Sequence, residues 1–195
     1  MSEVKIANPG PLGLSGFALT TLVLSCVNAG ILTGSGDILM VTGLAVFYGG
    51  IAQFAAGMWE FRTGNTFGAT AFTSYGAFWL SFAVLLIPGF GVGFGSDKGP
   101  SGSAAGVYLL GWTIFTGIMM LGSFRTNVAT AAVFVLLFLT FLMLAIGALG
   151  NNSSITHFGG YLGIATAIVA WYTALAGVLV GVSGGKINLP VMALS

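Results

Sequence analysis

Six stretches of this chain contain no Asp, Glu, Lys or Arg, and each is long enough to cross a lipid bilayer. They run approximately Leu12–Leu32, Ile38–Trp59, Phe67–Ile87, Ala104–Leu121, Val128–Leu149 and Ile155–Val182. A helix needs roughly 20 mostly apolar residues, at about 1.5 Å of rise each, to span the hydrocarbon core. The pattern predicts an all-α membrane protein with six transmembrane helices in one membrane domain over residues 1–195. Transmembrane barrel strands alternate apolar and polar side chains over about ten residues, unlike these continuous runs. An open sheet would leave unsatisfied edges in lipid. Only 5% of the residues are charged, against roughly 25% in soluble domains, so no separate water-facing domain is expected.

The few charges sit outside or at the edges of the spans. Glu3 and Lys5 precede the first; Asp37 lies in the first loop; Glu60 and Arg62 follow the second span. Asp97 and Lys98 lie in the Gly- and Ser-rich loop Gly89–Gly102, Arg125 between spans four and five, and Lys186 after the sixth. With six spans, Lys5, Arg62, Arg125 and Lys186 share one side and Lys98 stands alone on the other. The positive-inside rule then puts both termini in the cytoplasm of a plasma (inner) membrane protein. The first apolar stretch is too long for a cleaved signal, and no A-x-A site follows it before the next span. A net charge of +1 with no basic stripe argues against a nucleic-acid partner. A single Cys excludes an internal disulfide, a single His excludes His-pair motifs, and neither a metal nor a cofactor is expected.

Polar side chains inside a bilayer cost free energy unless they find partners or water, so their placement is informative. In the first span Phe17, Thr21, Ser25 and Asn28 fall near one helical face. In the second, Thr42, Gly49, Gln53 and Glu60 repeat at spacings of seven and four. In the third, Thr66, Thr70, Thr73, Ser74 and Ser81 form a hydroxyl stripe beside Tyr75. The fifth span is the opposite, with no polar side chain over Ala131–Leu139. Spans one to three therefore supply hydrogen-bonding faces and span five an apolar wall. The bland alternative is that such hydroxyls bond their own backbone or hold helices together. Glu60 and Arg62, where a span ends, read as interfacial anchors. The Gly-x-x-x-Gly pairs at 30/34, 64/68, 159/163, 177/181 and 181/185 permit close helix packing.

The lead-ins to the spans carry a further signal. Asn8-Pro9-Gly10-Pro11-Leu12-Gly13, Gly64-Asn65-Thr66 and Asn151-Asn152-Ser153-Ser154 are suited to starting helices. Helix N-termini offer free N–H groups and partial positive charge to a small anion. No Lys or Arg lies mid-membrane, so an anion would meet weak dipoles and hydroxyls rather than a fixed cation. That composition favours passage over capture.

These residues resemble the acetate uptake transporter family, the succinate–acetate permeases and their fungal relatives. Asn8-Pro9-Gly10-Pro11-Leu12-Gly13-Leu14 resembles the family signature. Phe47-Tyr48-Gly49-Gly50-Ile51-Ala52-Gln53, Gly64-Asn65-Thr66-Phe67-Gly68, Ala71-Phe72-Thr73-Ser74-Tyr75-Gly76, Leu144-Ala145-Ile146-Gly147 and His157-Phe158-Gly159-Gly160 support it. The stretch Gly91–Gly102 has no counterpart among these motifs. The resemblance implies a six-helix protomer in a homohexameric ring with a pore in each protomer, and passage of acetate and in some members succinate, often proton-coupled. It implies an apolar constriction that carries over to Phe17, Tyr75 and Leu137, the last placed by counting back from Leu144. Substrate contacts are expected at Asn8, Thr21, Gln53, Thr66, Thr70, Ser74, Asn152 and His157, with acetate or a similar small carboxylate and the lipid bilayer as partners. Glu60 and His157 are the titrating groups near this route. A channel for urea or ammonia is the rival transport function. An intramembrane enzyme would need clustered acids or a nucleophile–base pair, which the spans lack.

Overall fold

The computed structural model of the protein describes residues 6–34, 36–87 and 101–194. Glu3, Lys5, Asp97 and Lys98, with the Gly-rich loop up to residue 100, lie outside the described residues. Six helical rods are long and apolar enough to cross a membrane. The first is α1 (Gly10–Asn28). The second is composite: α2 (Asp37–Val46), a π-helical turn (Phe47–Ala52) and α3 (Gln53–Thr63). The others are α4 (Thr66–Leu86), α5 (Gly102–Ser123), α6 (Val128–Leu149) and α7 (Ser153–Ser183). Helix α1 stops at Asn28 rather than Leu32 because the chain turns at Gly30, whose φ of +73° is left-handed. The Ile31 and Leu32 amides then both turn back onto the Cys26 carbonyl.

The starts of the helices follow from their local sequence. Asn8 accepts the Gly10 amide through Oδ1 at 2.9 Å, with Pro9 and Pro11 fixing the first turn of α1. Asn65, Asn127 and Asn152 accept the Gly68, Thr130 and Ile155 amides and cap α4, α6 and α7. Inside the helices many hydroxyls serve their own backbone. Thr20, Thr42, Thr113, Thr140, Thr166 and Thr173 each donate to the carbonyl four residues earlier.

The rods close into a ring. Helix α1 packs on α7, α7 on α6 and α6 on α5; α4 packs on the composite second rod, which packs on α1. The ring is completed between α4 and α5, where side chains rather than close backbones bridge the gap. Tyr75 and Thr116 share a hydrogen bond of 2.9 Å, Ser81 and Tyr108 one of 2.7 Å, and Phe78 stands edge-on to Trp112 at 5.0 Å. Elsewhere glycine lets backbones meet. A Cβ on Gly76 would lie 2.8 Å from the Phe54 backbone, and one on Gly160 would collide with the Ala29 backbone. Of the paired glycines, Gly159 and Gly163 pack against Leu144 and Ser25, and Gly177 against Pro11. Gly64, Gly181 and Gly185 face open space and make no close packing contact.

After α7 the chain folds back across the end of the bundle. Val128 and Ala129, at the start of α6, donate to the Met192 and Val191 carbonyls, and Leu194 donates to Thr126. Tyr172 Oη fixes the Pro190 carbonyl at 2.9 Å. The tail thereby satisfies amides that a helix start leaves free.

Candidate functional site: a cavity ending at mid-membrane

A cavity of about 390 Å³ lies inside the ring, at the end of the bundle that carries the N-terminal lead-in and the C-terminal tail. Five helices and the tail line it, and the order of the lining residues gives its depth. Along α1 the wall runs from Asn8 through Leu14 to Phe17; along α4 from Asn65 to Tyr75; along α6 from Asn127 through Thr130 to Leu137. Helices α3 and α7 run the other way, so Gln53 and Thr173 lie deep while Glu60, Gly177 and Val180 lie near the mouth. Ten residues of helix advance about 15 Å, half of a hydrocarbon core about 30 Å thick. The inner end is therefore at mid-membrane and is formed by Phe17, Gln53, Tyr75, Leu137 and Thr173.

Three helices each bring a buried, largely apolar side chain to that point. Phe17, Tyr75 and Leu137 are all buried, and the Phe17 and Tyr75 rings stand 6.0 Å apart. Tyr75 also packs on Phe115 and Phe134, and its hydroxyl is held by Thr116. A carboxylate at this point would lose most of its hydration, which is costly without compensating hydrogen bonds. Gln53 is placed to accept a hydrogen bond there, which suits the O–H of a protonated acid rather than a carboxylate. It is 1% exposed, and its Oε1 finds no hydrogen-bond partner among the described residues. It directly follows the π turn, where its amide donates to the Tyr48 carbonyl five residues back. Such turns are frequent at functional sites.

Asn8 and Gln53 line the cavity. Thr21 is buried on α1 outside the wall, its Oγ1 without a partner among the described residues. Thr66 is exposed in the first turn of α4, and Thr70 and Ser74 are half-buried on α4, all outside this wall. Asn152 caps α7 at the opposite end of the bundle. His157 lies there too, against the turn at Gly30, where an added Cβ would be 3.1 Å from Nε2.

Several wall residues escaped the sequence reading. Glu60, read there both as an interfacial anchor and as a group near the route, is 3% exposed and lines the cavity, accepting Asn65 Nδ2 at 2.8 Å and Thr63 Oγ1 at 3.3 Å. Thr126, Asn127, Thr130, Thr173 and Asn188 add neutral polar groups. The series Asn127, Thr130, Phe134, Leu137 at helical spacing was the available signal on α6. Among the described residues, no Lys, Arg or His lines the cavity.

A ring of six helices of membrane-spanning length around a charge-poor internal cavity defines a class of small polytopic membrane proteins. Within that class, the chain belongs to the GPR1/FUN34/yaaH family, whose profile matches residues 1–194. It is 42% identical over 192 residues to the succinate-acetate/proton symporter SatP of Escherichia coli K12, covering 98% of each chain. It is 45% identical over 192 residues to acetate permease A of Emericella nidulans, covering 89% of this chain and 62% of the relative. The chain thus spans somewhat less than two thirds of the length of its fungal relatives. A solved structure of the bacterial acetate channel SatP superposes with a TM-score of 0.87 at 40% identity, covering 96% of this chain and 99% of that one.

Proposed function

We propose that the protein carries acetate and related small carboxylates, succinate among them, across the plasma (inner) membrane. The carrying observation is the cavity itself: neutral polar groups along its length, no cation among the described lining residues, and three buried apolar side chains at its inner end. The carboxylate enters at the end of the bundle that carries the tail and passes Asn8 and Thr130. Deeper in, Gln53 Oε1 accepts from the O–H of the protonated acid before it crosses the neck of Phe17, Tyr75 and Leu137. An apolar neck favours small, weakly hydrated or protonated acids, because stripping water from a carboxylate is expensive. Asn152 and His157 stand at the opposite end of the bundle, and Thr21, Thr66, Thr70 and Ser74 complete the proposed set of polar contacts.

Both termini are assigned to the cytoplasm, on the strength of Lys5, Arg62, Arg125 and Lys186 against Lys98. A homohexameric ring is the proposed assembly. Large exposed apolar residues such as Leu39, Phe47, Trp59, Ile118 and Leu121 leave ample surface for both lipid and neighbouring protomers.

Uptake of labelled acetate into proteoliposomes tests the reading. Wild-type protein takes up acetate, and excess unlabelled acetate competes while urea and ammonia do not. Phe17→Ala, Tyr75→Ala and Leu137→Ala each change the rate or widen selectivity toward larger acids. Failure of wild-type uptake would end the transport assignment; unchanged rate and selectivity in all three variants would end the neck assignment alone.

A further inference from the structure

We propose that Glu60 is a specificity-determining residue: its fixed negative charge admits singly charged carboxylates and turns back doubly charged ones. The inference rests on the carboxylate-transport reading and assigns the basis of selection within that class of substrate.

The geometry around the carboxylate is unusual for a residue at a span end. Glu60 reaches inward from α3 and lies between the first turns of two other helices. A Cβ on Gly10, the first residue of α1, would sit 3.5 Å from its Oε1. A Cβ on Gly68, in the first turn of α4, would sit 3.1 Å from its Oε2. Glycine at position 68 makes room for the acid, while Gly10 stands in ordinary contact with it. The sequence marks these helix starts as places suited to a small anion, because free N–H groups and partial positive charge gather there. The structure fills that place with the protein's own carboxylate, tethered by Asn65 Nδ2 at 2.8 Å.

Two consequences follow. The Gly10 and Gly68 amides at the mouth are capped by Asn8 and Asn65, with the Glu60 carboxylate beside them, so a substrate carboxylate is not trapped there. Glu60 is also the charged side chain of the cavity wall among the described residues; Arg62, Arg125 and Lys186 lie at the same end of the bundle but outside the lining. The groups facing Glu60 are Asn8 and Gly10 from the α1 lead-in, Asn65 and Gly68 from α4, and Thr63 on its own helix, all uncharged. The charge lies in a buried wall, where salt screens weakly. A monoanion meets one repulsion, partly balanced by the helix ends. A dianion brings a second charge past the same acid. A dicarboxylate therefore passes as its singly charged form, and a half-ester passes freely.

The experiment measures initial rates of labelled acetate, succinate and monomethyl succinate into proteoliposomes at one mildly alkaline pH. In wild-type protein monomethyl succinate, larger than succinate but singly charged, is the faster of the two. Glu60→Gln keeps the shape and hydrogen-bonding oxygen, removes the charge, and raises the succinate-to-acetate ratio at least about fivefold. Glu60→Asp keeps the charge and stays near the wild-type ratio. Equal wild-type rates for succinate and its half-ester would overturn the inference without any variant having to fold. An unchanged ratio in Glu60→Gln, or an equal shift in Glu60→Asp, would overturn it as well. Absence of wild-type acetate uptake would instead sink the transport reading beneath it.

Discussion

Gln53 holds a buried amide oxygen with no partner among the described residues, at the deep end of the cavity. An unpaired buried polar group costs about 1–3 kcal/mol. Gln53→Leu should therefore leave thermal stability in detergent unchanged or raise it, while acetate flux falls about tenfold; a loss of stability with flux intact would contradict a substrate-facing role. Tyr75 offers the complementary case. Tyr75→Phe removes only the hydroxyl held by Thr116, at a cost of about 1 kcal/mol, and should keep the neck and its selectivity. Tyr75→Ala removes the ring that packs on Phe17, Phe115 and Phe134, and should cost about 3–5 kcal/mol in a melting experiment. Single residues of this kind were only partly legible. Gln53 stood out as an amide in an apolar run. Glu60 was read both as an anchor and as a group near the route, because an acid at the end of a span looks the same whether it faces headgroups or a cavity.

The six rods were legible because an apolar run of spanning length has few alternatives in lipid. The face each rod presents was not. A helix apolar on every side gives no preferred direction, and hydroxyl stripes mislead when the hydroxyls bond their own carbonyls, as at Thr42. The π turn added a second obstacle. Thr42, Gly49, Gln53 and Glu60 share a face only if the helix is regular, and the wide turn at Phe47–Ala52 breaks that spacing. One residue of regular helix turns the chain by about 100°, so the surplus residue decides whether Gln53 and Glu60 reach the cavity. Close packing around that rod makes a sharper test. Gly76 meets the Phe54 backbone, which cannot withdraw as a side chain can. Gly76→Val should lower stability by about 1–3 kcal/mol or more, read as an earlier thermal transition in detergent.

At the scale of the molecule, the ring and its cavity exist because helices distant in sequence close on one another, and no local pattern encodes closure. The tail is part of that architecture. Val128, Ala129 and Leu194 make backbone hydrogen bonds between the tail and the start of α6, and Asn188 and Val191 form part of the cavity wall. Ending the chain after Lys186 should leave the six rods folded, with stability lower by a few kcal/mol from the lost hydrogen bonds and uncovered helix amides. It should also raise the initial rate of acetate uptake by widening the mouth, with selectivity at the neck unchanged. A lower rate from well-folded truncated protein would show instead that the tail belongs to the route.

Asn8 and Asn188 border the same opening. Any peptide grafted upstream of the one or downstream of the other is moored at the doorway, and its local concentration there is set by the length of its leash rather than by affinity. A weakly sticking extension on either side could act as a stopper, so doormen for this passage can evolve, or be engineered, without altering a single residue of the bundle.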